Sequence, residues 1–289
     1  MIKSIFFKFY TEPRAKMLYH FWKKPKVDDI FTTMQQLIDG KSIARFGDGE
    51  FDLINGVKEG FQRPDKRLGI LLKEVLNSQN ENLLVGIPDI FENRLKFLPR
   101  AHNHWKWYKI YHLDLLKRLL GENRHFSNSL ISRFYSDIDD LDFNRLIKMY
   151  RQIWDNKDVY IIEGEKTRIG VGNDLLSNSK SISRILAPAK NAFDKYDDIL
   201  NKAKELIPTG ALIILALGPT ATILARDLCN VGYQALDLGH IDIQYEYYIR
   251  GTKEKINIPG KFVNEVIGGD KVDDKFLPKE YYSSIIGIV

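Results

Sequence analysis

Short apolar runs alternate with longer stretches of helical period along most of this chain, the pattern of βαβ units around a mainly parallel sheet. The apolar runs predict strands over 42–46, 83–87, 159–163, 182–187, 211–217 and 234–238. The 3.6-residue pattern predicts helices over 27–39, 65–77, 112–120, 142–154, 192–206 and 220–230. No internal repeat, low-complexity linker or Pro-rich hinge breaks this order, so the expectation is one α/β domain with a helical insertion at 91–120. The stretch containing Gly268, Gly269, Pro278, Tyr281 and Tyr282 reads as an irregular tail.

Charge changes the picture at one end. The 289 residues carry 43 Lys plus Arg against 38 Asp plus Glu. The excess sits in residues 1–26, where seven basic side chains face the single acid Glu12. The rest is nearly neutral, which excludes a uniformly basic nucleic-acid surface. Within 1–26, Ile2, Ile5, Phe6 and Phe9 fall at helical spacing with Lys3 and Lys8 between them, and Met17, Leu18, Phe21 and Trp22 follow Pro13. That pattern fits a basic amphipathic segment in peripheral contact with an anionic membrane, and equally a terminal helix packed on the protein's own core. The chain therefore divides into this segment, 1–26, and a domain over 27–289. No apolar run approaches the roughly 18 residues that span a bilayer, and no secretory signal is recognisable. Cys229 is the only cysteine, so a disulfide framework is excluded and the expected location is the cytoplasm.

Candidate chemistry gathers at the predicted strand ends, where open α/β sheets bind ligands. In RFGDGEF, Asp48 and Glu50 follow a strand between glycines, and two hard oxygen donors of that kind suit Mg2+ or Mn2+. They point the same way if the segment is extended; the alternative is a turn leading into a helix with Glu50 in its first turn. After the strand 211–217, Gly218 permits a tight turn and Thr220 is a candidate N-cap of a helix whose free N–H groups suit a diphosphate. Arg133, Arg168, Asn173 and Lys190 stand near other strand ends as candidate phosphate or sugar contacts, the alternative for each cation being a surface ion pair. In LDLGHIDIQYEYY, His240 is a candidate for phosphate or hydroxyl binding, and Asp242 and Glu246 share one face if a helix begins there, either able to serve as general base.

Taken in order, RFGDGEF, SRFY, EGEKTRIGVGNDL, ILAPAKNAF, ALGPTATILARDL and LDLGHIDIQYEY resemble the GT-D-type glycosyltransferases, a family first catalogued as a domain of unknown function, over about residues 42–261. The resemblance implies a Rossmann-like core and a metal-dependent transferase that moves a hexose, glucose or galactose, from a UDP-sugar to a growing bacterial glycan on a protein or lipid carrier, with inversion. It places the family's Asp-x-Glu metal motif on Asp48 and Glu50, and its C-terminal catalytic base on Glu246, with Asp242 as second candidate. The competing reading is an adenosylmethionine- or nicotinamide-dependent enzyme built on 211–242, where Asp237 lies about 20 residues after Gly218, the spacing of a ribose-binding acid. Against it, GPTAT lacks the second and third glycines of that fingerprint.

Overall fold

A computed structural model describes residues 12–58, 60, 62–263, 265–274 and 277–289. In chain order the described elements are α1 (Glu12–Phe21), β1 (Lys26–Val27), α2 (Ile30–Ile38), β2 (Ser42–Arg45), α3 (Asp48–Ile54), α4 (Lys66–Leu76), β3 (Leu83–Ile87), α5 (Pro99–Tyr111), α6 (Leu113–Leu120) and β4 (His125–Asn128). There follow α7 (Phe134–Asp137), α8 (Phe143–Trp154), β5 (Asp158–Gly164), β6 (Ser181–Ala187), α9 (Tyr196–Leu206), β7 (Leu212–Ala216), α10 (Pro219–Asn230), β8 (Gln234–Asp237), α11 (Ile241–Ile249), α12 (Lys279–Ser283) and β9 (Ile285–Ile288).

Among the described residues nine strands form one sheet, every pairing parallel, in the order β1-β4-β3-β2-β8-β7-β5-β6-β9. A parallel sheet needs cover on both faces, and the central strands show it: Leu212–Ala216 is buried at every position. Helix α10 packs across β2 and β8, and the chain forms a single domain. Helix starts are set by side chains that fill free N–H groups, with Asp29, Asp65 and Asp142 each accepting from the third residue on.

All six strands expected from the apolar runs are present. Three others escape that pattern. β1 and β4 are too short to show a period, and β9 lies in the stretch expected to be an irregular tail. There Tyr281 is buried and Ile285–Ile288 pairs with β6, so the end of the chain completes the sheet. Of the N-terminal pattern, Ile2, Ile5, Phe6 and Phe9 lie outside the described residues. Helix α1 packs against α5; Trp22 just after it is buried and donates to the Gly121 carbonyl at 2.9 Å, whereas Met17 and Phe21 face outward. No described helix is long and apolar enough to cross a membrane.

The chain climbs outward from β2 to β3 and β4, then returns through β5 and β6 to lay β7 and β8 against β2 on its other side. The carboxyl ends of β2 and β8 therefore meet at a topological switch, where the loops diverge and leave a cleft. The segment after α11 crosses over this cleft.

Candidate functional site

A cavity of about 650 Å³ opens at that switch, walled by the residues that follow β2, β4, β5, β6, β7 and β8 and by Phe262, Val263, Glu265 and Asp270 of the C-terminal segment. Asp48, Glu50, Arg133, Lys190, Gly218, His240 and Asp242 all line it. Those residues are up to 194 positions apart by number, and the strand ends bring them together.

Asp48 and Glu50 belong to the first turn of α3, so the extended arrangement gives way to the helical alternative. Glu50 Oε2 accepts the Gly47 N–H at 2.7 Å. Both carboxylates still face the cavity because α3 starts directly off the β2 end, anchored below by Phe46 stacked on Phe51 at 5.8 Å. Asp48 is met at 2.9 Å by His104 Nε2 from α5. Burial by itself raises the Asp48 carboxyl, but the His104 hydrogen bond and charge, with Arg133, outweigh it and bring it below the ordinary range. Glu50 behaves in the opposite way: burial, then repulsion from Asp237 and Asp48, pushes it up to about 7. His104 and Tyr108 of α5 and His112 just after it stack on one another and hold α3 from the side, Tyr108 donating to Asp52 Oδ1 at 2.9 Å.

Cations from other strand ends form a basic wall of the same cavity. Arg133 closes the turn after β4 and places Nη1 2.7 Å from Glu265 and Nη2 3.1 Å from His240 Nε2. Burial and the adjacent Arg133 charge push His240 down to about 3, so at neutral pH it is an uncharged ring. Lys190 reaches the rim, 3.7 Å from Asp270. Gly218 takes φ 55°, and Pro219, at the first position of α10, brings no N–H. Gly218 is itself the N-cap, which corrects that role for Thr220; the Thr220 hydroxyl is fully buried off the cavity wall and has no hydrogen-bond partner among the described residues.

Three expected site residues are engaged by other parts of the protein. Arg168, buried with φ 59°, donates to the carbonyls of Gly260 and Asp273 and pairs with Asp274, clamping the C-terminal segment instead of facing a ligand. Asn173 spans Asp242 and Glu246, donating to them at 2.9 and 2.7 Å. Glu246 lies off the cavity wall, 2% exposed, and is held by Lys261 at 2.9 Å and Arg250 at 3.0 Å. Burial raises its carboxyl, yet Lys261, Asn173 and Arg250 outweigh this and leave it below the ordinary range. Asp242 does line the cavity but accepts from Lys261 at 2.6 Å, the Gly170 N–H at 2.8 Å and Asn173. Lys261 and Asn173 thus bridge the two carboxylates, Asp242 on the cavity wall and Glu246 just off it, and Oδ2 of Asp242 takes only Lys261.

Reading the sequence alone overlooked Arg45, His104, Lys261 and Glu265. Arg45 directly precedes the RFGDGEF acids, and the aromatic- and His-rich run HNHWKWY was a signal within the insertion. Lys261 and Glu265 carry no local mark. Arg45 also decides the competing reading of Asp237: Oδ1 takes Arg45 Nη2 at 2.9 Å, and Oδ2 takes the Arg45 N–H and the Thr222 hydroxyl, each at 3.2 Å, leaving little capacity for a ribose.

No group of three or more His, Cys, Asp and Glu is gathered for a metal ion among the described residues. The donor set of Asp48 and Glu50 nevertheless fits a hard divalent cation: it comprises oxygen donors only, and the raised Glu50 marks a local shortage of positive charge.

The profile of the family described as glycosyltransferase GT-D fold matches residues 43–266. The chain is 34% identical over 264 residues to glycosyltransferase GlyD of Streptococcus pneumoniae serotype 4, covering 90% of this chain and 32% of that protein. It is 38% identical over 229 residues to the probable glycosyl transferase Gly of Streptococcus gordonii, covering 78% of this chain and 33% of that one. The chain thus spans about a third of the length of these curated relatives. Among solved structures, one described as domain of unknown function 1792 with a distinct glycosyltransferase fold superposes with a TM-score of 0.87 at 32% identity, over 97% of this chain and 99% of that chain. Another, described as a new glycosyltransferase from Streptococcus sanguinis, gives 0.84 at 32% identity over 92% and 100%.

Proposed function

Because the chain belongs to the GT-D-fold glycosyltransferase family, we propose that it moves a hexose from a UDP-sugar to a growing glycan on a protein or lipid carrier. The observation that carries this reading is the division of one cavity into an acidic wall, Asp48 and Glu50, and a basic wall, Arg133 and Lys190 with the neutral His240. A nucleoside diphosphate needs both: cations for its phosphate oxygens and a place for the counter-ion it carries.

Asp48 and Glu50 are the residues that would hold Mn2+ or Mg2+, which when bound supplies Lewis-acid neutralisation of the leaving diphosphate. His104 fixes the rotamer of Asp48 toward the cavity. Arg133 offers a planar guanidinium to phosphate oxygens. His240, uncharged, donates or accepts a single hydrogen bond without adding charge. Gly218 lets α10 start close to the bound nucleotide. The acceptor hydroxyl attacks from the face opposite the diphosphate, which inverts the anomeric carbon. Glu246, with Asp242 on the cavity wall as second candidate, takes its proton as the bond from the anomeric carbon to the diphosphate breaks and UDP leaves; through Lys261 the two carboxylates also pin the C-terminal segment against α11. The enzyme is placed in the cytoplasm, and the outward-facing Met17 and Phe21 beside Arg14 and Lys16 support its resting on an anionic membrane surface.

The test is a UDP-release assay over UDP-glucose, UDP-galactose and other UDP-sugars, with and without Mn2+. Release that depends on one donor and on the metal is the expected result; metal-independent turnover, or full activity in Glu50→Ala, rules the reading out.

A further inference from the structure

Both cations of the basic wall face carboxylates of the same C-terminal segment. Arg133 Nη1 lies 2.7 Å from Glu265 Oε1, and Lys190 Nζ lies 3.7 Å from Asp270 Oδ2. Glu265 is fixed from its other oxygen by Lys255 at 2.6 Å, itself largely buried. With side chains 28% and 21% exposed, Arg133 and Glu265 form a pair within the cavity wall, where screening by salt is weak. A carboxylate and a phosphate approach a guanidinium through the same charge-assisted geometry, so they compete for it.

Building on the diphosphate site proposed above, we infer that Glu265 is a charge selector: it occupies on Arg133 the position of an anionic donor and yields only to a ligand charged enough to displace it. The free energy of displacing Glu265 is subtracted from the affinity of every ligand that reaches Arg133. A neutral nucleoside, which leaves the pair intact, is not penalised. Asp270 acts in the same sense on Lys190 but less strongly, because that pair is more than half exposed.

Isothermal titration of the whole chain with inorganic pyrophosphate, UDP and uridine, at constant Mg2+, tests this. In Glu265→Gln, pyrophosphate and UDP should bind about 10-fold more tightly than in wild type, the usual scale of coupling between a ligand and an internal contact, with uridine unchanged. Equal or weaker pyrophosphate binding in a Glu265→Gln protein that melts like wild type overturns the inference, and leaves the diphosphate site standing as long as wild type binds UDP. If wild type binds neither UDP nor pyrophosphate, the site reading fails and the inference with it. Should Glu265→Gln not fold, the exposed Asp270→Asn decides alone: a gain of about 2-fold for pyrophosphate supports competition, and no gain overturns it.

Discussion

Two acidic pairs, one in the cleft and one at its edge, look alike in sequence and are handled in opposite ways. Asp242 and Glu246 sit one helical turn apart on α11 and are over-supplied with donors: a buried Lys261 between them, Asn173 across both, Arg250 on one and the Gly170 N–H on the other. Asp48 and Glu50 sit in one turn of α3 with His104 on the first and only a backbone N–H from Gly47 on the second, and their neighbour Asp237 is a further acid. The first pair is an internally neutralised ion network that fastens the C-terminal segment through Lys261. The second is short of positive charge, the condition of a site that acquires a cation with its ligand.

The largest test of this contrast removes the cation from the finished network. Lys261→Met leaves Asp242 and Glu246 buried without their shared partner, and stability should fall by about 3–5 kcal/mol, measured as a shift of the urea midpoint. Glu50→Gln removes a charge from an unfinished cluster and should change the midpoint little or raise it. If the two variants destabilise equally, the contrast is void. Next in size is activity: Glu50→Gln should lower sugar transfer at least about 100-fold, the scale for removing one group of a preorganised electrostatic site, while the fold is kept. His104→Ala, acting through the orientation of Asp48, should cost about 10-fold in Mn2+ affinity measured directly by titration, with the melting temperature nearly unchanged.

Much of the scaffold was legible because a parallel sheet buried on both faces writes itself as apolar runs; 211–217 and 159–163 are such runs, and both are central strands. β9 was not, since IIGI follows two tyrosines and a turn, stays half-exposed, and joins the sheet only by pairing with β6 about a hundred residues earlier. The site divides in the same way. Asp48 and Glu50 were visible because they follow a strand between glycines. The partner of Glu246 was not visible, because Lys261 arrives from a segment with no periodicity, folded over the cleft by contacts such as the Arg168 clamp. Arg168 itself read as a ligand contact because nothing local shows that its guanidinium is spent on Gly260, Asp273 and Asp274. Sequence reveals which groups stand at strand ends; it does not reveal which of them another segment has already satisfied.

The smallest expected effect is the sharpest in sign. Glu50 has its carboxyl raised to about 7 in the metal-free protein, by burial first and Asp237 next, so between its ordinary value near 4.5 and 7 the folded state holds a proton that the unfolded chain has lost. When the native state binds more protons, stability falls as pH rises through that window. Glu246, whose carboxyl is lowered, contributes stability that is present above pH 4.5 and lost on acidification. His240, held down to about 3, also disfavours acid, because below about 6.5 the unfolded ring takes a proton that the folded one refuses. These slopes oppose one another, so the comparison must be made between wild type and Glu50→Gln, which share Glu246 and His240. Subtracting the two melting curves from pH 5 to 7.5 in chelator should leave a residual loss of wild-type stability with rising pH, and saturating Mn2+ should remove it. A flat difference would mean that Glu50 is already as well neutralised as Glu246, and the two pairs would then be alike in charge as well as in sequence.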